Sequence, residues 1–361
     1  MSIFQKLKSL DWIMIFAILG IVLFSCVALY SIGLGRESAS FLNRQLIALA
    51  IGSGGMLFLA FINYRLLKNV AIPVYLLGIA LLVAVLFVGE NVRGTRGWFF
   101  IGEFGFQPAE FAKIALIVGL ARYFSSWTRQ IGRFRTIALR GGIAFLPVLL
   151  ILLQPDFGSA VIVFAIWFCM ILVSGMPKKT FVGFLALFIV LFAGAWLFLF
   201  QDYQKERIIS FLSPHGDSAG AGYNVRQAQI AIGGGQLIGT GIGAGSGSQL
   251  RFLPEAQTDF IFSVIAEELG FVGVAALLLF WLLFFYRLVA LLRRVHDDFA
   301  AFIVLGSLVV FFSQFVINIG GNLGLIPITG LVLPFVSYGG SSIVISLLLV
   351  GLIQGVRVHS A

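Results

Sequence analysis

The sequence predicts an all-α polytopic membrane protein of about ten transmembrane helices with one long extracytoplasmic loop. Three observations predict it. Of 361 residues, 60% are hydrophobic and only 11% charged, against roughly 25% charged in an ordinary soluble domain. Apolar runs of about 20 residues, long enough to cross a ~30 Å hydrocarbon core, recur along the chain. The basic residues gather in alternate connections between those runs, the pattern that sets orientation in a membrane. A soluble globule could not cover so much apolar surface with polar groups, which excludes a soluble enzyme, a disordered chain and a disulfide scaffold. A single integral membrane domain over 1–361 is expected rather than two.

In chain order the expected spans are 12–33, 44–63, 69–88, 108–126, 141–154, 159–176, 180–200, 262–292, 299–320 and 334–356. The first follows Lys6 and Lys8 but is too long for a signal-peptide core, so it reads as a helix. The fifth is short and stops at Gln154-Pro155-Asp156, which suits a tilted or broken helix. Cys26 and Cys169 sit singly in apolar runs and read as small core residues. With the N-terminus in the cytoplasm, ten crossings return the C-terminus there. Fifteen of the 24 Lys and Arg then lie inside, eight lie outside, and Lys113 falls within a span. The net charge of +9 is accordingly a matter of topology and not of nucleic acid. Eleven of the 15 acids fall outside, Glu110 lies in the fourth span, and residues 201–261 form the long outer loop. A mixed acid–base face on that side is where chemistry is expected.

Each motif has a structural and a functional reading. Gly233–Gly247 is dense in glycine but lacks the GxxxxGK pattern of a P-loop, so it reads as a flexible turn or as backbone approaching a large ligand. Glu110 and Lys113, three apart at the start of the fourth span, share a helix face and form either a structural ion pair or part of a substrate site. Thr258 and Asp259 precede the eighth span as potential N-caps. Glu255, Glu267 and Glu268 nearby suggest instead a carboxylate cluster that could tune a base. From Asn318 to Ser342, two prolines and six glycines break the helical pattern, as backbone lining a cavity can.

Five stretches together resemble the SEDS family (shape, elongation, division and sporulation) of RodA/FtsW type. They are RGTRGWFFIGEFGFQPAEFAK (93–113), QPDFGSA (154–160), GYNVRQAQIAIGGGQLIGTGIG (222–243), LPEAQTDFIFSVIAEELG (253–270) and GLIPITGLVLPFVSYGGSS (324–342). The texture is nearer the RodA branch. One departure is Gly321-Asn322, where relatives often carry a methionine, with an effect expected on cavity packing rather than chemistry. The resemblance implies polymerisation of lipid II into glycan strands at the outer face of the bacterial cytoplasmic membrane, for cell elongation and shape. It carries the catalytic carboxylate onto Asp259 and implies functional roles for Glu110 and Lys113. It places Arg93, Arg96, Asp156 and Ser337 on family motifs, and implies a class B penicillin-binding protein as transpeptidase partner beside other elongation-machinery proteins.

Such an inverting glycosyl transfer needs a base on the acceptor 4-hydroxyl and cations near the departing pyrophosphate. Asp259 is the expected base, and Arg44, Arg96, Lys113 and Arg207 are the candidate cations. The donor is already activated, so no cofactor is expected; a divalent cation is not legible in the sequence. The rival readings are a flippase for a lipid-linked precursor, an FtsW-like role at the division septum, and a non-catalytic scaffold.

Overall fold

A computed structural model describes residues 3–35, 40–92, 94–102, 104–126, 134–174, 221–245 and 253–360, with isolated positions between these ranges. After a short helix α1 (Ile3–Ser9) come α2 (Trp12–Gly35), α3 (Ser40–Phe61) and α4 (Tyr64–Val88). Then follow α5 (Pro108–Ser125), α6 (Phe134–Leu152), α7 (Phe157–Val173), α8 (Ala221–Gly234), α9 (Ile261–Leu292), α10 (Asp298–Asn322) and α11 (Gly340–His359). Six of these, α2, α3, α4, α9, α10 and α11, are long and apolar enough to cross a membrane. Helices α5, α6 and α7 occupy the fourth to sixth expected spans, while most of 180–200 and of the long loop lies outside the described residues.

Small residues set the close helix contacts, as they do where no water drives association. Gly78 of α4 packs on Ala115 of α5, and Gly351 and Gly355 of α11 lie against backbone oxygens of Met56 and Leu59 in α3. Gly306 of α10 meets Met170 of α7 and Ile117 of α5. The core closes around aromatic rings: Phe335 stacks on Phe311 at 5.3 Å, and Phe284 meets both edge-on. Phe335 has φ of +63°, so the irregular 333–337 segment is strained where it inserts this ring between α9 and α10.

One end of the bundle is tied together by Asp11. Its carboxylate accepts the Met14 N–H at the start of α2 and two nitrogens of Arg287 on α9, the shorter at 2.6 Å. Its backbone exchanges hydrogen bonds with the Gln354 amide of α11.

At the opposite end the chain departs from an all-helical course, a feature absent from the sequence expectations. Between α4 and α5 lie three antiparallel strands, β1 (Glu90–Val92), β2 (Thr95–Ile101) and β3 (Phe104–Phe106). Asn91 pairs with Arg96 and Phe99 with Phe106. Gly94 and Gly102, both at positive φ, make the two turns.

Candidate functional site

Asp259 lies in a turn just before α9, half-buried. Glu255, at φ of +55°, bends the chain so that its carbonyl accepts the N–H groups of Thr258 and Asp259 at 3.0 and 3.1 Å. The carbonyls of Gln257, Thr258 and Asp259 are held from other parts of the chain. Tyr338 N–H donates to Gln257 O at 2.8 Å, and the Ser337 hydroxyl to Thr258 O at 2.6 Å. The side-chain amides of Asn322 and Asn318 both donate to Asp259 O, at 2.8 and 3.2 Å. The cap position of α9 falls on Phe260, which has no polar side chain, and Thr258 Oγ1 turns back to Glu255 O. The N-cap reading of Thr258 and Asp259 is therefore corrected: neither residue occupies the cap position.

Of the expected carboxylate cluster, Glu255 stays in the Asp259 turn while the other two acids lie away from it. Glu267 and Glu268 lie about 12 Å along α9 from Asp259 by helical rise. The Glu267 carboxylate accepts the Gly247 N–H at 3.0 and 3.2 Å, while Glu268 accepts the Ser31 hydroxyl of α2. Both acids belong to a seam formed with the glycine-rich run. Helix α9 breaks at Gly270, where φ is 63° and ψ is −165°, and the break leaves backbone groups without helical partners. The run after α8 supplies them through its own backbone. Thr240 N–H donates to Glu267 O at 2.9 Å and Gly241 N–H to Glu268 O at 3.1 Å, while Phe271 N–H donates to Gln236 O at 2.8 Å. Thus this run makes a close backbone approach to a broken helix of the same chain.

A second polar group sits at the same end. Asp156 caps α7 by accepting Ser159 N–H at 2.9 Å and also accepts the Gln107 amide at 3.0 Å. Gln107 N–H in turn donates to the Ser341 hydroxyl of α11. Gly158, in the first turn of α7, packs against Thr329 O and Leu331, and Leu331 O accepts the second Asn318 bond at 2.8 Å. The Gln107–Asp156 group and the Asp259 turn therefore flank one segment, 329–331. The buried atoms Gln154 Oε1, Gln257 Oε1 and Thr329 Oγ1, all at this end, have no hydrogen-bond partner among the described residues.

The remaining sequence candidates take different places. Glu110 and Lys113 are both buried and form an ion pair at 2.7 Å. Arg96 projects from β2 to the end of α4, where its guanidinium donates to Gly89 O at 3.0 Å and Phe87 O at 2.9 Å. This caps the helix and satisfies carbonyls that have no helical donor. Arg44 is half-buried near the start of α3. Ser337 is buried, with its hydroxyl donating to Thr258 O and accepting Leu333 N–H. Arg93 and Arg207 lie outside the described residues. Among the described residues, no group of three or more His, Cys, Asp or Glu side chains is placed to hold a metal ion.

Residues 7–361 match the family model described as cell cycle protein, for FtsW, RodA and SpoVE. The chain belongs to that family. It is 33% identical to the peptidoglycan glycosyltransferase MrdB of Escherichia coli K12, over 97% of this chain and 94% of the relative. It is 35% identical to an FtsW of Trichlorobacter lovleyi, with the same two coverages. Among solved structures, RodA of Thermus thermophilus superposes with a TM-score of 0.72 at 31% identity, over 97% of each chain. A chain of a peptidoglycan synthase complex that coordinates polymerization and crosslinking gives 0.82 at 34%, over 96% of this chain and 97% of that one.

For this FtsW/RodA/SpoVE-family chain, the residues that sequence reasoning missed are the amides holding the site in place. Asn318 and Asn322 stand one turn apart on α10, and Gln45 of α3 bonds the backbone of Ser337 and Gly339. The signal was present as Gln314, Asn318 and Asn322, a polar line at i, i+4 and i+8 on an otherwise apolar helix. Asn322, where an effect on cavity packing is expected, also bonds the backbone carbonyl of Asp259.

Proposed function

We propose that this chain polymerises lipid II into glycan strands at the outer face of the bacterial cytoplasmic membrane, as a RodA-like peptidoglycan glycosyltransferase of cell elongation. Relatives named as peptidoglycan glycosyltransferases support the activity. The similarity to RodA supports the elongation role, and the similarity to FtsW makes septum synthesis the alternative. The observation that carries the reading is a half-buried carboxylate, Asp259, held by a turn in which the carbonyls of Gln257, Thr258 and Asp259 itself are bonded to other segments.

Asp259 accepts the proton of the acceptor sugar's 4-hydroxyl as that oxygen attacks the anomeric carbon of the donor. The bond from the anomeric carbon to the lipid pyrophosphate breaks on the opposite face, and the electron pair leaves with the phosphate, so configuration inverts. Cations placed where that charge develops stabilise the transition state. Arg44 and Arg207 are assigned this work. Lys113 contributes its charge jointly with Glu110, while Arg96 and Ser337 act through the backbone segments they bond. The unpartnered oxygens of Gln154, Gln257 and Thr329 suit sugar hydroxyls, since buried polar atoms normally pair. The activated donor makes a cofactor unnecessary, and no step above calls on a divalent cation.

The orientation follows from charge. Lys6, Lys8, Arg287, Arg293 and Arg294 belong to the Asp11 end, and positive charge favours the cytoplasm. Asp259, at the other end, would then face outward. A class B penicillin-binding protein is the proposed partner, supported by the similarity to a chain of a polymerizing and crosslinking complex.

The test is glycan product from supplied lipid II, using purified wild type and Asp259→Ala, each with and without co-purified transpeptidase. Strands from wild type alone, and none from a folded Asp259→Ala protein, are expected. Product from Asp259→Ala would remove the base assignment, and transport of lipid II without polymer would favour the flippase.

A further inference from the structure

Asn322 ends α10 and is 2% exposed, yet its carboxamide is hydrogen-bonded through both Nδ2 and Oδ1. Nδ2 donates to Asp259 O and to Asn318 O, both at 2.8 Å. Oδ1 accepts the Ser263 hydroxyl at 2.6 Å and the Ser263 N–H at 3.3 Å. The two backbone groups it bridges are four residues apart in sequence. In an unbroken helix Ser263 N–H would donate to Asp259 O directly. Here the carboxamide bonds both ends of that would-be link, Ser263 N–H turns to Phe260 O at 3.0 Å, and α9 begins only at Ile261.

Asn318 adds the second constraint. Its Nδ2 donates to the same Asp259 oxygen at 3.2 Å and to Leu331 O at 2.8 Å. A carbonyl oxygen has two lone pairs, and the two amides on α10 use both. The preceding peptide plane is held as well, by Ser337 Oγ donating to Thr258 O and by Asp259 N–H donating to Glu255 O, and with the planes on both sides of Asp259 fixed the Cα–Cβ direction is fixed too.

We propose that Asn322 is a positioning residue for glycosyl transfer, one that keeps Asp259 out of α9 so that its carboxylate can meet the acceptor hydroxyl. This rests on the assignment of Asp259 as base. Proton abstraction needs a heavy-atom separation of about 2.6–3.2 Å. A side chain drawn into a helical turn would miss that reach.

The decisive variant is Asn322→Leu, which keeps volume but removes the donor and acceptor. Ser263 N–H can then close onto Asp259 O, extending α9 backwards. The expected result is a fall in kcat of about tenfold to a hundredfold, the scale of an ångström-sized misplacement. KM for lipid II should stay within about twofold, because the lost contact matters at the transition state. Ser263→Ala, which removes the hydroxyl bond to Asn322 Oδ1 but spares the Ser263 N–H bond and the Asn322 donor, should lower kcat less and leave KM alone. Wild-type kcat per folded molecule for Asn322→Leu overturns the proposal, even where thermal stability drops. If that variant does not fold, wild-type kcat for Ser263→Ala overturns it. The underlying assignment fails separately, when Asp259→Ala alone retains activity.

Discussion

The backbone of Gly239 crosses Glu268 so closely that a Cβ built on Gly239 would sit 2.1 Å from the Glu268 carbonyl oxygen. Its φ of +83° is also one that side chains resist. Gly239→Ala should therefore lift the strap from the broken helix. Positive-φ strain alone costs about 1–3 kcal/mol, and the contact adds to it. The measurement is the thermal midpoint of the purified protein in detergent. Gly233→Ala, which meets nothing within 4 Å, is the matched control and should leave the midpoint unchanged.

Gly270 is the other half of that crossing, since a Cβ there would lie 2.3 Å from Gly239 N. Its φ and ψ of 63° and −165° belong to a region open in practice to glycine alone. Gly270→Ala should raise proteolytic cleavage and amide exchange across 236–241 more than elsewhere in the molecule. The double variant with Gly239→Ala should cost less than the two single effects added together, because both act on one contact. Additive losses would mean that the two glycines serve separate needs.

The ion pair inside α5 predicts an asymmetry. Lys113→Met strands the buried Glu110 carboxylate and should cost about 3–5 kcal/mol of stability, or abolish folded yield. Glu110→Gln combined with Lys113→Met removes both charges and should recover much of that yield. Size-exclusion profiles of the three proteins read this out. If the double variant folds but makes no polymer, the pair contributes charge to the reaction as well as structure.

Ser337 holds two segments with one hydroxyl. Ser337→Ala leaves Thr258 O and Leu333 N–H without that partner, a loss of about 1–3 kcal/mol where the groups stay dry. Polymerisation should fall with it, since the released carbonyl directly precedes Asp259. Ser337→Thr retains the hydroxyl and should keep more activity than the alanine variant.

The bundle was legible in the sequence because lipid imposes a one-dimensional signal: twenty apolar residues between polar ends. The three strands were not. WFFI in β2 looks as apolar as the helices beside it, and only turns at Gly94 and Gly102 separate the segment into a meander. Asp259 stood out as an acid before an apolar run with family motifs around it. Arg96 stood out as well, but charge alone could not tell a phosphate ligand from a guanidinium bonded to Phe87 O and Gly89 O. Glu267 and Glu268 clustered with Asp259 in sequence yet diverge in space, because a helix carries residues eight and nine positions on by two turns or more. What the sequence hid most completely is the backbone-to-backbone seam at Gly270, which involves no recognisable side-chain pattern.

The bonds between Asp11 and Gln354 join residues 343 apart in the chain. A ribosome adding about 5–20 residues per second needs on the order of half a minute to cover that distance. Throughout that interval the first long helix resides in the bilayer with the backbone at its entry point unmatched. The knot that fastens the start of α2 is tied only once α11 has been made, so the earliest long helix waits for a distant one before it is locked.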